Sequence, residues 1–272
     1  MRDILVHATG YDPWPHATEF AARLAATLDA ALTGLWCIEP EVPVALAGEL
    51  GGMAALAMQT PNPAIDGALA CQGRFLAWAS SLGVAHSDWF ACEAMPAEAL
   101  RQIGQWHDLI VLGAGKHTPW GSEAALADVL MTSHRPCLVV PESRMQWPRL
   151  DRIAIAWDAS PSALRSVHAA LPLLVRASRV VVLGSAKDTG EARLPMFDLD
   201  RFCERHELRV ERVAFEPVAG PTGGALLRAA MAANADLMVL GAFGHSRLRE
   251  WALGGVSRHM LAHSPIPLLM RH

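Results

Sequence analysis

The sequence predicts an α/β protein: two parallel sheets in tandem, each with helices on both faces. Three observations carry that expectation. The chain has 272 residues, close to twice the roughly 150 of an ordinary domain. The segment Asp108-Leu-Ile-Val-Leu-Gly-Ala114 returns with a single change as Asp236-Leu-Met-Val-Leu-Gly-Ala242, at an offset of 128 residues. Within each half, short aliphatic and β-branched runs alternate with segments of helical period, as strands joined by crossover helices do.

The second half shows the alternation best. Arg152 to Trp157 reads as its first strand. Ser160 then caps a helix with Pro161 in its first turn and apolar residues at Leu164, Val167, Leu171, Leu174 and Val175. Val180 to Leu183 is the second strand, Leu194 to His206 a weaker helix and Arg209 to Phe215 the third strand. A helix over Ala225 to Asn234, a strand over Leu237 to Leu240, a helix over Val256 to His263 and a strand over Ile266 to Met270 complete it. In the first half the strands fall near 3 to 8, 32 to 38, 84 to 90, 109 to 112 and 137 to 140. The first-strand pair, Ile4-Leu-Val6 and Ile153-Ala-Ile155, is offset by 149 residues, so the first half carries 21 extra. They are expected within Glu39 to Pro63, a Pro- and Gly-rich excursion. Pro141 to Leu150 reads as a linker, which gives domains at 1–141 and 151–272.

Composition excludes several classes of function. With 23 basic against 27 acidic residues the formal charge is −4, the wrong sign for binding a phosphate backbone over the whole chain. No run reaches the roughly 18 uncharged apolar residues of a membrane span, and the first residues lack the apolar core of a signal peptide. A cytoplasmic protein is therefore expected. Cys37, Cys71, Cys92, Cys137 and Cys203 are widely spaced and form no C-x-x-C motif, so they read as reduced, mostly buried thiols.

The segment richest in chemistry runs from Gly241 through Gly244, His245, Gly254, Gly255, Val256 and Ser257, out of the fourth strand of the second half and into its last helix. Ligands of open α/β sheets settle beyond the carboxyl ends of the strands. Gly241 and Gly244 permit positive φ and let backbone approach a ligand. Gly254 and Gly255 stand at a helix start, whose unpaired N–H groups and positive dipole end favour an anion. Ser257 adds a hydroxyl one turn further on. The bland alternative is a tight turn and a helix cap.

This G-x2-G-x9-G pattern, behind D-L-x-V-L-G and ahead of a P-x-P strand, resembles the nucleotide-binding signature of the universal stress proteins. Gly241, Gly244 and Gly254 match its spacing, whereas Gly255 stands where that family usually has Ser or Thr. The resemblance covers both halves. It implies two Rossmann-like five-stranded sheets of strand order 3-2-1-4-5, related by a pseudo-twofold. It further implies ATP or a related adenine nucleotide, with or without magnesium, bound in the second domain. Its other nucleotide contacts map onto Ala156, Trp157 and Asp158 and onto Gly184 and Ser185, with Asp158 near the adenosine part. Asp158 is equally an ordinary helix-start residue. The fifth strands, Cys137 to Val140 and Ile266 to Met270, would meet within the chain; a further association of two chains into a homodimer is left open by the sequence.

The first half departs from the pattern: no Asp matches Asp158, and Lys116 replaces the second glycine. Poor or no nucleotide binding and a structural role are expected there. Gly113 to Thr118 fails as a P-loop, because Ile110 and His117 stand where a glycine and a hydroxyl belong and Pro119 breaks the following helix. His259 and His263, one turn apart, with His245 or His272 as third ligand, do not make a convincing metal set. Ser160, Ser185 and Ser257 have no triad partners. With no positioned base, Lys or carboxylate pair, at most slow ATP hydrolysis is expected. The expectation is a stress-response protein in which nucleotide binding signals conformation or assembly. The rivals are a nucleotide-free interaction scaffold and an ATP-using enzyme of the same α/β group.

Overall fold

A computed structural model describes residues 1–272 apart from 9, 41–61, 116, 117, 119, 121, 143–149, 185–197, 215–221 and 243–254. The chain divides into two compact units, Met1–Val111 and Leu112–His272. This division lies well before the linker at 141–150 and falls inside a strand.

The first unit contains β1 (Asp3–His7), α1 (His16–Leu28), β2 (Ala31–Ile38), α2 (Pro63–Leu69), α3 (Gln72–Ser81), β3 (Ser87–Glu93), α4 (Pro96–Ile103) and the start of β4 (Leu109–Gly113). Its strands lie in the order β3-β2-β1-β4, all parallel. Ile4, Leu5 and Val6 are fully buried in succession, as a strand covered on both faces requires. Each contributes roughly 1.5–3 kcal/mol of apolar burial. β3 starts three residues later than its apolar run suggests. Gly83, at φ +92°, closes α3: its N–H donates to Ser80 O and that of Val84 to Ala79 O, at 3.0 and 3.1 Å. This is a Schellman end with an apolar residue after the glycine, and it claims Val84 for the helix.

The second unit contains α5 (Glu123–Thr132), β5 (Cys137–Val140), β6 (Arg152–Trp157), α6 (Pro161–Leu174), β7 (Arg179–Gly184), α7 (Leu199–Arg205), β8 (Val210–Ala214), α8 (Thr222–Ala232), β9 (Leu237–Gly241), α9 (Gly255–His263) and β10 (Leu268–Arg271). The strand order is β5-β10-β9-β6-β7-β8. β6 through β10 pair in parallel. β5 joins β10 antiparallel, with Leu268 opposite Val139, Leu269 opposite Leu138 and Met270 opposite Cys137. That pairing satisfies backbone groups which would otherwise line an open edge. All four residues of β5 are buried.

The repeated Asp has the same structural task in both units. Asp236 Oδ2 accepts from the N–H groups of Asp151 and Arg152, both at 3.0 Å. Asp108 Oδ2 accepts likewise from Arg2 and Asp3. Each carboxylate ties the amino end of the fourth strand to that of the first, away from the carboxyl rim where a ligand would sit.

Candidate nucleotide site at the carboxyl rim

In the second unit β6 lies between β7 and β9. From β6 the chain crosses by α6 to β7, on one side; from β9 it crosses by α9 to β10, on the other. The crevice between the carboxyl ends of β6 and β9 is therefore the switch point at which ligands of open α/β sheets bind. Trp157 stands beside Gly184 across β6 and β7, and Ala156 beside Leu240 across β6 and β9. Ala156, Trp157 and Gly184 are half-buried. A Cβ at Gly184 would make only an ordinary 3.5 Å contact with Trp157 O.

Asp158 leaves β6 as an Asx turn: its Oδ1 accepts from the Ser160 N–H at 2.9 Å. Ala159 takes up φ +57°, a left-handed conformation uncommon for a residue with a Cβ. Ser160 Oγ then accepts from the Ala163 N–H at 3.1 Å, capping α6, and lies 3.1 Å from Ser162 Oγ. The sequence Asp-Ala-Ser-Pro thus builds a helix entrance directly at the rim. Sequence reasoning foresaw the cap; the strained Ala159 carries no compositional signal.

Gly241 requires a correction. It is extended within β9 and is not among the residues with positive φ. A Cβ on it would lie 2.6 Å from both Ala163 N and Ser162 Oγ. The glycine lets the first turn of α6 pack on the end of β9, a close helix–strand approach rather than a turn. Gly255 also lies outside the positive-φ set. It is the first residue of α9, a nine-residue helix, and is exposed; among the described residues nothing lies within 4 Å of a Cβ added there. The positive end of the helix dipole lies at this residue. Val256 is half-buried and Ser257 buried in the same first turn. Ser185, Gly244, His245 and Gly254 lie outside the described residues.

The structure adds one cation that sequence reasoning passed over. Arg271 ends β10 in register with Gly241, on the same rim. Its backbone exchanges hydrogen bonds with Ser166 Oγ, and its Nε is buried without a partner among the described residues. Its signal in the sequence was a charge straight after the P-x-P strand. His259 and His263 stack at 4.4 Å between ring centroids. Burial, then His263 and Arg228, hold the His259 pKa below its ordinary value. Among the described residues no group of three or more His, Cys, Asp or Glu is placed to hold a metal ion.

In the first unit, aromatic rings gather near the carboxyl ends of β1 and β2. Trp14 packs against Phe75, Trp78 and Trp89 at 5.4, 5.2 and 5.6 Å, and Trp36 against Trp89 at 6.1 Å. Trp89 Nε1 donates to Ala68 O at 2.8 Å, anchoring α2. Most of the first half's tryptophans thus serve packing. Ser122 Oγ accepts from the Ala125 N–H at 3.3 Å, so it caps α5.

Together, an open parallel sheet and a switch-point crevice define an α/β domain of the kind that binds ligands along its carboxyl rim. Residues 149–272, a little under half of the chain, match the family model described as Universal stress protein family. A universal stress protein of Synechocystis sp. is 25% identical over 174 residues, which is 60% of this chain and 57% of the relative. The chain thus matches less than two thirds of that relative's length. Among solved structures, a universal stress protein from Archaeoglobus fulgidus superposes with a TM-score of 0.64 at 14% identity, covering 99% of this chain and 95% of the other. A protein of unknown function from Pseudomonas aeruginosa superposes with a TM-score of 0.60 at 15% identity, covering 100% and 92%. At such identities the likeness concerns the fold, and it extends over both halves. Among the described residues no helix is long and apolar enough to cross a membrane.

Proposed function

We propose that the second unit binds ATP or a related adenine nucleotide, with or without magnesium, and that binding acts as a conformational or assembly signal in a cytoplasmic stress response. The observation that carries this reading is the start of α9 at Gly255, where among the described residues nothing lies within 4 Å of an added Cβ, together with the β6–β9 switch point of the same sheet. The N–H groups of its first turn and the helix dipole would hold the phosphates. Arg271 supplies a cation on the same rim, and Trp157, Asp158 and Gly184 border the place for the nucleoside. The first unit has no Asp matching Asp158 and carries Lys116 in place of the second glycine, which leaves that unit a structural role. The antiparallel β5–β10 pairing would join the two domains, and homodimers would build on that pair.

One observation favours a second reading, a nucleotide-free interaction scaffold. Asp158 and Gly241 each have a complete structural task without any ligand. Mass spectrometry of small molecules released by denaturing freshly purified protein separates the two readings. An adenine nucleotide should be recovered, and millimolar ATP with magnesium should raise the melting temperature. At a hundred times Kd the gain is about 2.7 kcal/mol. An empty extract together with an unmoved melting temperature would leave the scaffold.

A further inference from the structure

The first unit carries a pair of thiols that the nucleotide reading does not use. Cys37 on β2 and Cys92 on β3 are directly opposite in the parallel register. Their side chains share one face of the sheet, and their sulfurs are 3.9 Å apart. Gly34, Trp36, Trp89 and Ala91 alternate with them along the two strands, so the thiols lie on the face away from the aromatic cluster. Neighbouring strands run about 4.8 Å apart, inside the roughly 4.4–6.8 Å window of Cα separations that a disulfide spans. Cys37 is buried and Cys92 half-buried. Within this unit β3 has a strand neighbour on one side only, so it has freedom to shift as the sulfurs close.

We propose that Cys37 and Cys92 form a reversible dithiol–disulfide site driven by hydroperoxides. The Cys92 thiolate attacks the peroxide oxygen; the O–O bond breaks, Cys92 becomes a sulfenic acid and the displaced oxygen leaves as water or alcohol after taking a proton. The Cys37 sulfur then attacks the Cys92 sulfur, the S–O bond breaks, and the hydroxide departs as water with the proton that Cys37 gives up. Two thiols lose two electrons to one hydroperoxide, which balances the reaction.

The two sulfurs have separate roles. The contact between the two sulfurs holds the Cys92 pKa below its ordinary value. The same contact, with burial, holds Cys37 protonated. Cys92, the more exposed of the two sulfurs, is the attacking thiol, and the buried Cys37 is the resolving one. The other thiols are built differently. Burial raises Cys137 to about 12 and Cys203 to about 11, and Cys71, buried, lies 3.3 Å from Gly67 O. Side chains that leave neighbouring parallel strands side by side must lean together to bond. A disulfide here is consequently strained and readily reduced, as regulatory disulfides are.

The test uses the full chain. The reduced protein is exposed to hydrogen peroxide, denatured in alkylating reagent and mapped by peptide mass spectrometry. Of the five cysteines, two should escape alkylation, in a linked peptide containing Cys37 and Cys92 and lighter by two hydrogens. Dithiothreitol added before denaturation should restore all five. Cys37→Ser should stop the reaction at a Cys92 sulfenic acid trapped by dimedone, and Cys92→Ser should leave Cys37 unmodified. Full alkylation of all five after peroxide, or links made equally to Cys71, Cys137 or Cys203, would overturn the proposal. The map of the unmutated chain decides the matter even if a variant folds poorly.

Discussion

Replacing Gly255 by Asp separates helix stability from anion binding. Among the described residues nothing lies within 4 Å of the added Cβ, so they impose no packing cost. A carboxylate in the first turn of α9 favours the helix by about 0.3–1 kcal/mol through the dipole, and loss of the glycine adds a few tenths. For a unit of this size a gain near 1 kcal/mol raises the melting temperature by about 2–4 °C. The same carboxylate would face the incoming phosphates. A unit charge about 5 Å away, at an effective dielectric of about 20–80, costs about 1–3 kcal/mol, a loss of roughly 5- to 150-fold in affinity. Thermal unfolding of the ligand-free variant and calorimetric titration with ATP read the two effects separately. Gly255→Asp should melt higher than the parent and bind ATP more weakly. A variant that melts higher and binds ATP as the parent does would show that the phosphates do not sit at α9.

Other substitutions probe the scaffold. Gly34→Ala would place a Cβ 2.5 Å from Trp89 Cε3 and 2.8 Å from Phe75 Cζ, so chemical denaturation should show a loss of about 1–3 kcal/mol from overpacking. Gly241→Ala would meet the Ala163 backbone N at 2.6 Å; in urea unfolding it should lose a similar amount, about 1–3 kcal/mol, with no nucleotide present. Ser160→Ala removes the α6 cap and should cost about 1 kcal/mol by the same measurement. Burial lowers the His7 pKa from 6.5 to about 4. Between these values the unfolded chain takes up a proton that the folded chain refuses. Stability should be fully present above about pH 6.5, fall by up to about 3 kcal/mol as the pH drops toward 4, and lose nothing more from this group below that. In His7→Phe that part of the pH profile should disappear from unfolding curves taken across the range.

The strands were legible because parallel strands buried on both faces need unbroken apolar runs, and Ile4-Leu-Val6, Ile153-Ala-Ile155 and the repeated segments at 108–114 and 236–242 supply them. The misplaced start of β3 shows where local pattern fails, since Val84 is apolar to seal a helix end and not to enter a strand. The repeat marked Asp108 and Asp236 as equivalent but could not assign their task, which depends on amide groups more than eighty residues away. Gly241 teaches the same lesson at the site. Spacing shows that a Cβ is unwelcome, and only packing shows that α6 is what excludes it. Asp158 was legible both as a helix starter and as a rim residue, and its bond to Ser160 is the first of these. Arg271 was missed because a charge at the end of a strand has no pattern of its own. The expectation that the fifth strands meet came from the resemblance alone; no periodicity encodes it.

Calorimetric titration of the full chain with ATP and magnesium tests the central claim most directly. The account predicts saturable binding of one nucleotide per chain, because the second half carries the glycine pattern and Asp158 whereas the first half has Lys116 in place of the second glycine and no matching Asp. Absence of binding at millimolar ATP, or two equivalent sites per chain, would contradict it.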